Sequence, residues 1–258
     1  MAIHSTAIVD AGARLDSTVE VGPYCVIGAD VTIGARTRLM GHLFLEGVLT
    51  IGEDNLLYPF SSIGVASQDL KYRGERSETR IGNRNKVREF VTIHRGTAGG
   101  GLVTQIGDDN LIMAYSHVAH DVSVGNHCIL VNNTTLGGHV VIEDWVEIAG
   151  LSAVHQYCRV GKHAIVGGGS IVTRDVLPYS ITVEPRDARL VGANKIGLER
   201  RGFSAETVDA LHKTFRLLKS TKLNTTQAIE KIRAEVPALA EVDDVIGFIE
   251  RSQRGVIK

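Results

Sequence analysis

Apolar residues recur along this chain at every sixth position. Ile3, Val9, Leu15, Val21, Ile27, Ile33, Leu39, Leu45, Ile51, Leu57 and Ile63 hold one register without a break. A period of six fits neither the period of about 3.6 of a helix nor the period of two of an ordinary strand. It is the mark of a hexapeptide solenoid, in which each hexad supplies one short strand and one turn. Three hexads close a triangular coil, so residues 18 apart lie one above the other, with a spacing of about 4.8 Å. The leading residues point inward and fill the prism. Glycine follows a leader directly at Gly22, Gly28, Gly34, Gly52 and Gly64, which predicts corners with unusual dihedrals.

The register falls silent from 65 to 80, where ASQDLKYRGERSE is polar and charged and predicts a loop thrown out of the solenoid. It resumes in phase at Ile81, Val87 and Ile93. A glycine-rich gap follows, near 96–105. Its GGG at 99–101 lacks the lysine and following helix of a phosphate loop, and it reads as a flexible excursion. The register returns one residue out of phase at Ile106. It continues through Ile112, Val118, Val124, Leu130, Leu136, Ile142, Ile148, Val154, Val160, Val166 and Val172.

Pro178 ends the pattern, and Pro185 and Arg186 lie in an irregular bridge. Beyond it the period turns helical. Ser204 is the expected N-cap of a helix carrying Val208, Leu211, Phe215 and Leu218, Thr225 that of a second carrying Ile229 and Ile232, and a third spans 242–251. The fold class expected is mainly β: a left-handed parallel β-helix of hexapeptide repeats over 1–177, then a bridge and a small α-helical C-terminal domain over 178–258.

Composition narrows the function. Aromatic residues make up 5% of the 258 and glycines number 28, which suits a thin core. The net charge of −1 gives a nucleic-acid partner no global support. No apolar run approaches the ~18 residues of a membrane span. A repeat in phase from Ile3 leaves no room for a secretory signal, so the expected compartment is the cytoplasm. Cys25, Cys128 and Cys158 share one repeat position, four residues after a leader, and read as buried small hydrophobes. Cys128 and Cys158 are 30 residues apart, which is no multiple of a coil, so no disulfide is expected.

The chemistry gathers in 116–139, SHVAHDVSVGNHCILVNNTTLGGH, which holds four of the ten histidines and no aromatic. His120, Gly138 and Gln156 each stand two residues after a leader and 18 apart. They form a column with spacings of about 5 and about 10 Å. His139 and His155 flank it, so one edge presents three histidines, a glycine N–H and a glutamine. Such a gathering of polar groups points to work. Asp121 adjoins His120 and is placed to orient its imidazole, although neighbours on a strand face opposite ways. There is no G-x-S-x-G elbow and no cysteine in an evident basic, exposed setting. A histidine base acting on a bound hydroxyl, without a covalent intermediate, is the simplest chemistry. His117 and His120, with His94 or His139 as third ligand, offer an alternative zinc set.

Several longer motifs accompany the hexads: QDLKYRGE (68–75), VTIHRGT (91–97), HVAHD (117–121), GGHV (137–140), VHQYCRVG (154–161) and RRGF (200–203). Together they resemble the UDP-N-acetylglucosamine O-acyltransferases of lipid A biosynthesis, over essentially the whole chain. The resemblance implies a homotrimer with sites in the clefts between subunits. It implies transfer of an (R)-3-hydroxyacyl chain from acyl carrier protein to the 3-hydroxyl of UDP-N-acetylglucosamine, with no cofactor and no metal. By motif, His120 resembles the general base, Asp121 its partner, and the Gly138 N–H the oxyanion donor. Asp69 and Lys71 resemble sugar-nucleotide contacts, and His117, His139, His155 and Gln156 substrate-binding residues. Asn194 and Arg200 resemble nucleotide contacts, and Gly168 part of an acyl-length ruler. The chain departs from the family at Ile196, where members often carry glutamate, and in VEPRDA (183–188), which lacks their usual Gly-Asn pair. The sister N-acyltransferase, acting on a 3-amino sugar, usually carries a further N-terminal domain. A zinc hydratase on the same solenoid is the alternative from another enzyme class. Between 195 and 222, seven Lys/Arg face three Asp/Glu, a basic surface suited to an acidic carrier protein.

Overall fold

The computed structural model describes residues 2–183 and 189–258. The hexads wind into a left-handed parallel β-helix with three flat sheets, in which each coil gives one strand to each sheet. The register is the one that the period dictates. Ile3 pairs with Val21, Val21 with Leu39, and Leu39 with Leu57. The strands are mostly two residues long, because a corner interrupts each hexad. Leaders from Val21 to Val172 are buried, and Ile27, Leu45, Leu57 and Ile93 are at most 1% exposed. Each such side chain contributes about 1.5–3 kcal/mol of burial. Ile3 remains 42% exposed, since no coil lies beneath the first.

The corners differ from expectation. The left-handed backbone falls on the residue three after the leader, and that residue is seldom glycine: Tyr24, Phe60, Asp121 and His139 have φ of 56, 66, 59 and 61°. Gly22, Gly34 and Gly52 serve close approach instead. A Cβ on Gly22 would come within 2.5 Å of the Met40 carbonyl oxygen, and one on Gly34 within 2.8 Å of the Gly52 backbone. Of the glycines that directly follow leaders, only Gly64 has positive φ, at 77°.

All three cysteines are free and buried. Cys128 tops a ladder of buried amides: Asn85 Nδ2 donates to Asn55 Oδ1 (3.1 Å), the Asn110 N–H to Asn85 Oδ1 (2.9 Å), and the Cys128 N–H to Asn110 Oδ1 (2.7 Å). Burial pushes its thiol up to about 12 and that of Cys158 up to about 11. Neither is a nucleophile at neutral pH.

The buried apolar residues form two clusters. One runs along the prism from Val19 to Val176 and takes in Ile257, and the other runs from Leu177 to Phe248. The stack does not stop at Pro178. Ser180–Val183 extends the first sheet, with Ile165 opposite Ile181, and pairs antiparallel with Arg189–Ala193. Pro185 and Arg186 lie outside the described residues. Four helices follow: α1 (Lys195–Arg200), α2 (Ala205–Leu218), α3 (Thr225–Glu235) and α4 (Ala240–Glu250). Ser204 caps α2 as expected, through the Thr207 N–H. The cap of α3 is Asn224 rather than Thr225, in a reciprocal box with Gln227. The chain end returns to the solenoid. Ile257 donates its N–H to the Asp175 carbonyl (2.9 Å), is 5% exposed, and closes the prism.

Candidate active site

The corner after His117–Val118 carries His120 and Asp121. The neighbours do touch. His120 Nδ1 lies 2.8 Å from Asp121 Oδ2. The left-handed turn at Asp121 (φ 59°) removes the alternation that a strand would impose, which is why this contact could not be read from spacing. A carboxylate only accepts, so Nδ1 carries the proton and Nε2 is the free base. The Asp121 side chain is fully buried. It also accepts from the Thr97 N–H (2.9 Å) at Oδ1 and the Thr97 hydroxyl (2.5 Å) at Oδ2, while its own N–H donates to Thr104 Oγ1 (2.8 Å).

Thr97 comes from the glycine-rich segment that reads as a flexible excursion. In the structure that segment is a clasp over Asp121. A Cβ on Gly100 would fall 2.1 Å from the Asp121 carboxyl carbon, so only glycine closes it. The clasp is tied in turn to the polar loop, because Glu75 Oε1 accepts from the Ala98 N–H (3.0 Å). The loop brings Asp69 back over the site, with Oδ2 3.9 Å from His120 Nε2.

Gly138 sits one coil from His120, as the column requires. A Cβ there would meet the His120 ring at 2.5 Å. Its N–H has no acceptor among the described residues. His139 stacks on Tyr157 with centroids 4.3 Å apart and planes 4° off parallel, and meets His120 edge-on at 5.0 Å. The aromatic partner missing from 116–139 thus arrives from the next coil. His117 Nδ1 is 2.7 Å from Thr92 Oγ1, and the ring packs edge-on to His94 at 4.8 Å. Burial, reinforced by the neighbouring histidines, pushes His94 down to about 4 and lowers His117 in the same direction. Both are neutral at physiological pH.

The resulting cleft, ≈ 480 Å³, is lined by Gln68, Asp69, Leu70, Lys71, His94, His117, Ala119, His120, His139, Gln156 and Tyr157. His155 is exposed beside it, with Nδ1 against the Gln156 carbonyl at 3.1 Å. Asn194, Arg200 and Gly168 do not line it. Asn194 is buried and caps α1, accepting from the Gly197 N–H (3.2 Å) and donating to the His163 carbonyl (2.9 Å). Arg200 is exposed at the end of α1. Gly168 leaves room for a side chain, with nothing closer than 3.4 Å to an added Cβ. Sequence reasoning missed Thr97, Thr104 and Gly100, and named the segment 96–105 without its role.

The zinc set does not assemble from His117 and His120. Among the described residues, the donor atoms that converge belong to His120, Asp121 and His139. Two of these are hydrogen-bonded to each other rather than aimed at a common point, and His117 Nδ1 is held by Thr92.

Residues 175–257 match the family model described as "Udp N-acetylglucosamine O-acyltransferase; Domain 2", and residues 104–138 match "Bacterial transferase hexapeptide (six repeats)". The acyl-[acyl-carrier-protein]–UDP-N-acetylglucosamine O-acyltransferase of Thermodesulfovibrio yellowstonii is 46% identical over 99% of both chains. The chain belongs to the UDP-N-acetylglucosamine O-acyltransferase family. The Herminiimonas arsenicoxydans O-acyltransferase is 44% identical, again over 99% of both chains. Among solved structures, the UDP-N-acetylglucosamine acyltransferase of Bacteroides fragilis is 39% identical with a TM-score of 0.96, over 99% of this chain and 100% of its own. That of Moraxella catarrhalis is 38% identical with a TM-score of 0.94, over the whole of both chains. This acyltransferase therefore shares the solenoid and the helical tail with its relatives. No helix among the described residues is long and apolar enough to cross a membrane.

Proposed function

We propose that this enzyme transfers an (R)-3-hydroxyacyl chain from acyl carrier protein to the 3-hydroxyl of UDP-N-acetylglucosamine, the first step of lipid A biosynthesis, in the cytoplasm. The observation that carries the reading is the His120–Asp121 pair. The buried, triply hydrogen-bonded carboxylate fixes Nδ1–H and leaves Nε2 as a base in the cleft. Nε2 takes the proton of the sugar hydroxyl as its oxygen attacks the thioester carbonyl. The free Gly138 N–H, beside the His120 ring, donates to the oxyanion. The carbon–sulfur bond then breaks, and the imidazolium returns the proton to the departing thiolate. Asp121 stabilises the transient cation, and no acyl-enzyme forms.

Asp69 and Lys71 would hold the sugar nucleotide from the loop, with His117, His139, His155 and Gln156 positioning the substrates. Arg200 stands apart from the cleft and is exposed, and as a nucleotide contact it fits a homotrimer in which a neighbouring tail reaches over this site. Asn194, buried with both amide atoms engaged, would shape that tail rather than touch the nucleotide. The basic surface of 195–222, around Arg216 and Lys219, suits the acidic carrier protein. No cofactor and no metal enter the reaction.

The test is turnover with hydroxyacyl carrier protein and UDP-N-acetylglucosamine, set beside the 3-amino sugar. His120→Ala should keep the fold and lose about two to four orders of magnitude in kcat. Near-normal turnover in the folded variant would move the base elsewhere, and a preference for the amino sugar would make the enzyme an N-acyltransferase. Gly168, which has no side chain to block a groove, favours a chain of roughly fourteen carbons over ten, with discrimination of about 1–3 kcal/mol per methylene gained or refused at a hydrophobic pocket end. Gly168→Met should move the profile toward shorter chains without changing the KM for UDP-N-acetylglucosamine. An unmoved length profile would place the ruler at another residue.

A further inference from the structure

Past the Tyr157 side of the catalytic cleft lies a second groove of ≈ 480 Å³, and the two share His139 and Tyr157 as a common wall. The far part of this groove carries three guanidinium groups, from Arg159, Arg251 and Arg254. Arg159 is accounted for within the fold. It pairs with Glu143 at 3.0 Å and lies over the Phe248 ring at 4.4 Å. Arg251 and Arg254 are exposed and make no ion pair among the described residues.

The segment that carries them is nonetheless fixed. Asp175, 1% exposed, accepts from the Ser252 hydroxyl (2.8 Å) and the Arg159 N–H (2.9 Å), and its own N–H donates to the Gly255 carbonyl (3.1 Å). The Asp175 and Glu143 carboxylates are both engaged, so Arg251 and Arg254 are the surplus charge of the groove. Two unpaired guanidinium forks on an anchored segment, opening onto a substrate cleft, are the arrangement that recognises a phosphate.

The repeat supplies a ruler. Asp121, His139, Tyr157 and Asp175 occupy one corner of four successive coils, so three steps, about 14 Å, separate the reacting corner from the arginines. A pantetheine arm contains two amides and spans about four extended residues, ~14 Å, from thioester to phosphate. In a nucleotide sugar the 3-hydroxyl and the nearest phosphate are only about one coil step apart. We propose that this groove is a phosphate subsite of the acyltransferase, and that it takes the phosphate of the donor's phosphopantetheine arm. Naming the donor rests on the reaction proposed above.

The test uses the full-length enzyme and two donors that differ only in the phosphate, 3-hydroxyacyl-phosphopantetheine and 3-hydroxyacyl-pantetheine. Arg254→Ala and Arg251→Ala are each expected to raise the KM for the phosphorylated donor about tenfold, the effect of one charged hydrogen bond. The KM for the other donor and for UDP-N-acetylglucosamine should not change, nor should kcat. Arg254→Lys should recover part of the loss, because it keeps the charge and loses the fork. An equal rise for both donors, or no rise, overturns the subsite. A rise confined to UDP-N-acetylglucosamine reassigns the groove to the nucleotide diphosphate and overturns the donor assignment. Calorimetric binding of phosphopantetheine and pantetheine reads the subsite without turnover. Equal affinity of the wild type for the two overturns it. Tighter phosphopantetheine binding, lost in Arg254→Ala, in an enzyme inactive on UDP-N-acetylglucosamine would keep the subsite and sink the reaction.

Discussion

Two edges of this solenoid use the same repeat position for opposite ends. On one, the residues three after each leader are Tyr24, His42, Phe60, Phe90 and Tyr115, whose rings stack at 4.8–5.0 Å along the outside of the coil. On the other, the same position holds Asp121, His139 and Tyr157. Backbone conformation is shared, with φ of 66° at Phe60 and 59° at Asp121. Exposure is not: Phe60 is 51% exposed, and the Asp121 side chain is fully buried. What separates the edges is the pair of excursions. The segment 96–102 lies over Asp121, and the loop around Asp69 lies over His120. The repeat places side chains in columns. The departures from the repeat remove water from one column and give its carboxylate partners, which turns a row of corner residues into an acid–base site.

The sharpest way to break that comparison is to open the clasp. Gly100→Ala sets a methyl where the Asp121 carboxyl group lies, 2.1 Å from its carbon, and the carboxylate must move. A displacement of about 1 Å at a catalytic group costs on the order of a hundredfold, so kcat should fall by about that factor while the circular dichroism of the solenoid is unchanged. Gly99→Ala is the control in the same segment, because its nearest neighbour is 3.8 Å away, and it should be near neutral. If both variants keep full activity, the clasp does not set the geometry of the pair.

The two edges were not equally legible. The register of the leaders gave the coils, the columns and the placing of Gly138 over His120, because each follows from counting hexads. The hold on Asp121 did not. Thr97 and Asp121 are 24 residues apart, across a segment where the register slips by one, so no periodicity connects them. The glycines of 96–103 have no partner in sequence and so look like slack, although a close approach explains Gly100 without any flexibility. The glycines after the leaders failed for a related reason. Their signal was real, but it reports the packing of one coil on the next rather than φ. The Asn224 cap was readable, since Gln227 stands three residues on, and Thr225 merely stands one residue inside.

A milder change to the same contact should give a smaller effect. Thr97→Val removes the hydroxyl that donates to Asp121 Oδ2 and leaves the backbone donor at Oδ1. Losing one charge-assisted hydrogen bond, about 1.5–3 kcal/mol, should lower kcat about tenfold or somewhat more, with little change in KM. Thr97→Ser keeps the hydroxyl and should restore most of the rate. A serine variant as slow as valine would mean that the methyl packing, and not the hydrogen bond, is what the site requires.

The other edge supplies the smallest expected effect. Phe60 stacks on His42 at 4.9 Å and on Phe90 at 5.0 Å, with half of its surface in water. Phe60→Ala loses both contacts. Aromatic pairs contribute about 0.5–1.5 kcal/mol each beyond burial, and exposure reduces that here, so a loss of about 1 kcal/mol in denaturant unfolding is expected. The leaders beneath, Leu57 and Ile63, are untouched, so the coil should keep its register. Turnover should not change, because no ring of this column touches the His120 cleft within the subunit. An unchanged kcat beside a measurable fall in stability is the outcome that separates the two edges. A fall in kcat at full fold would show instead that the ring column completes a site on another subunit, and the contrast would then be between two halves of one cleft.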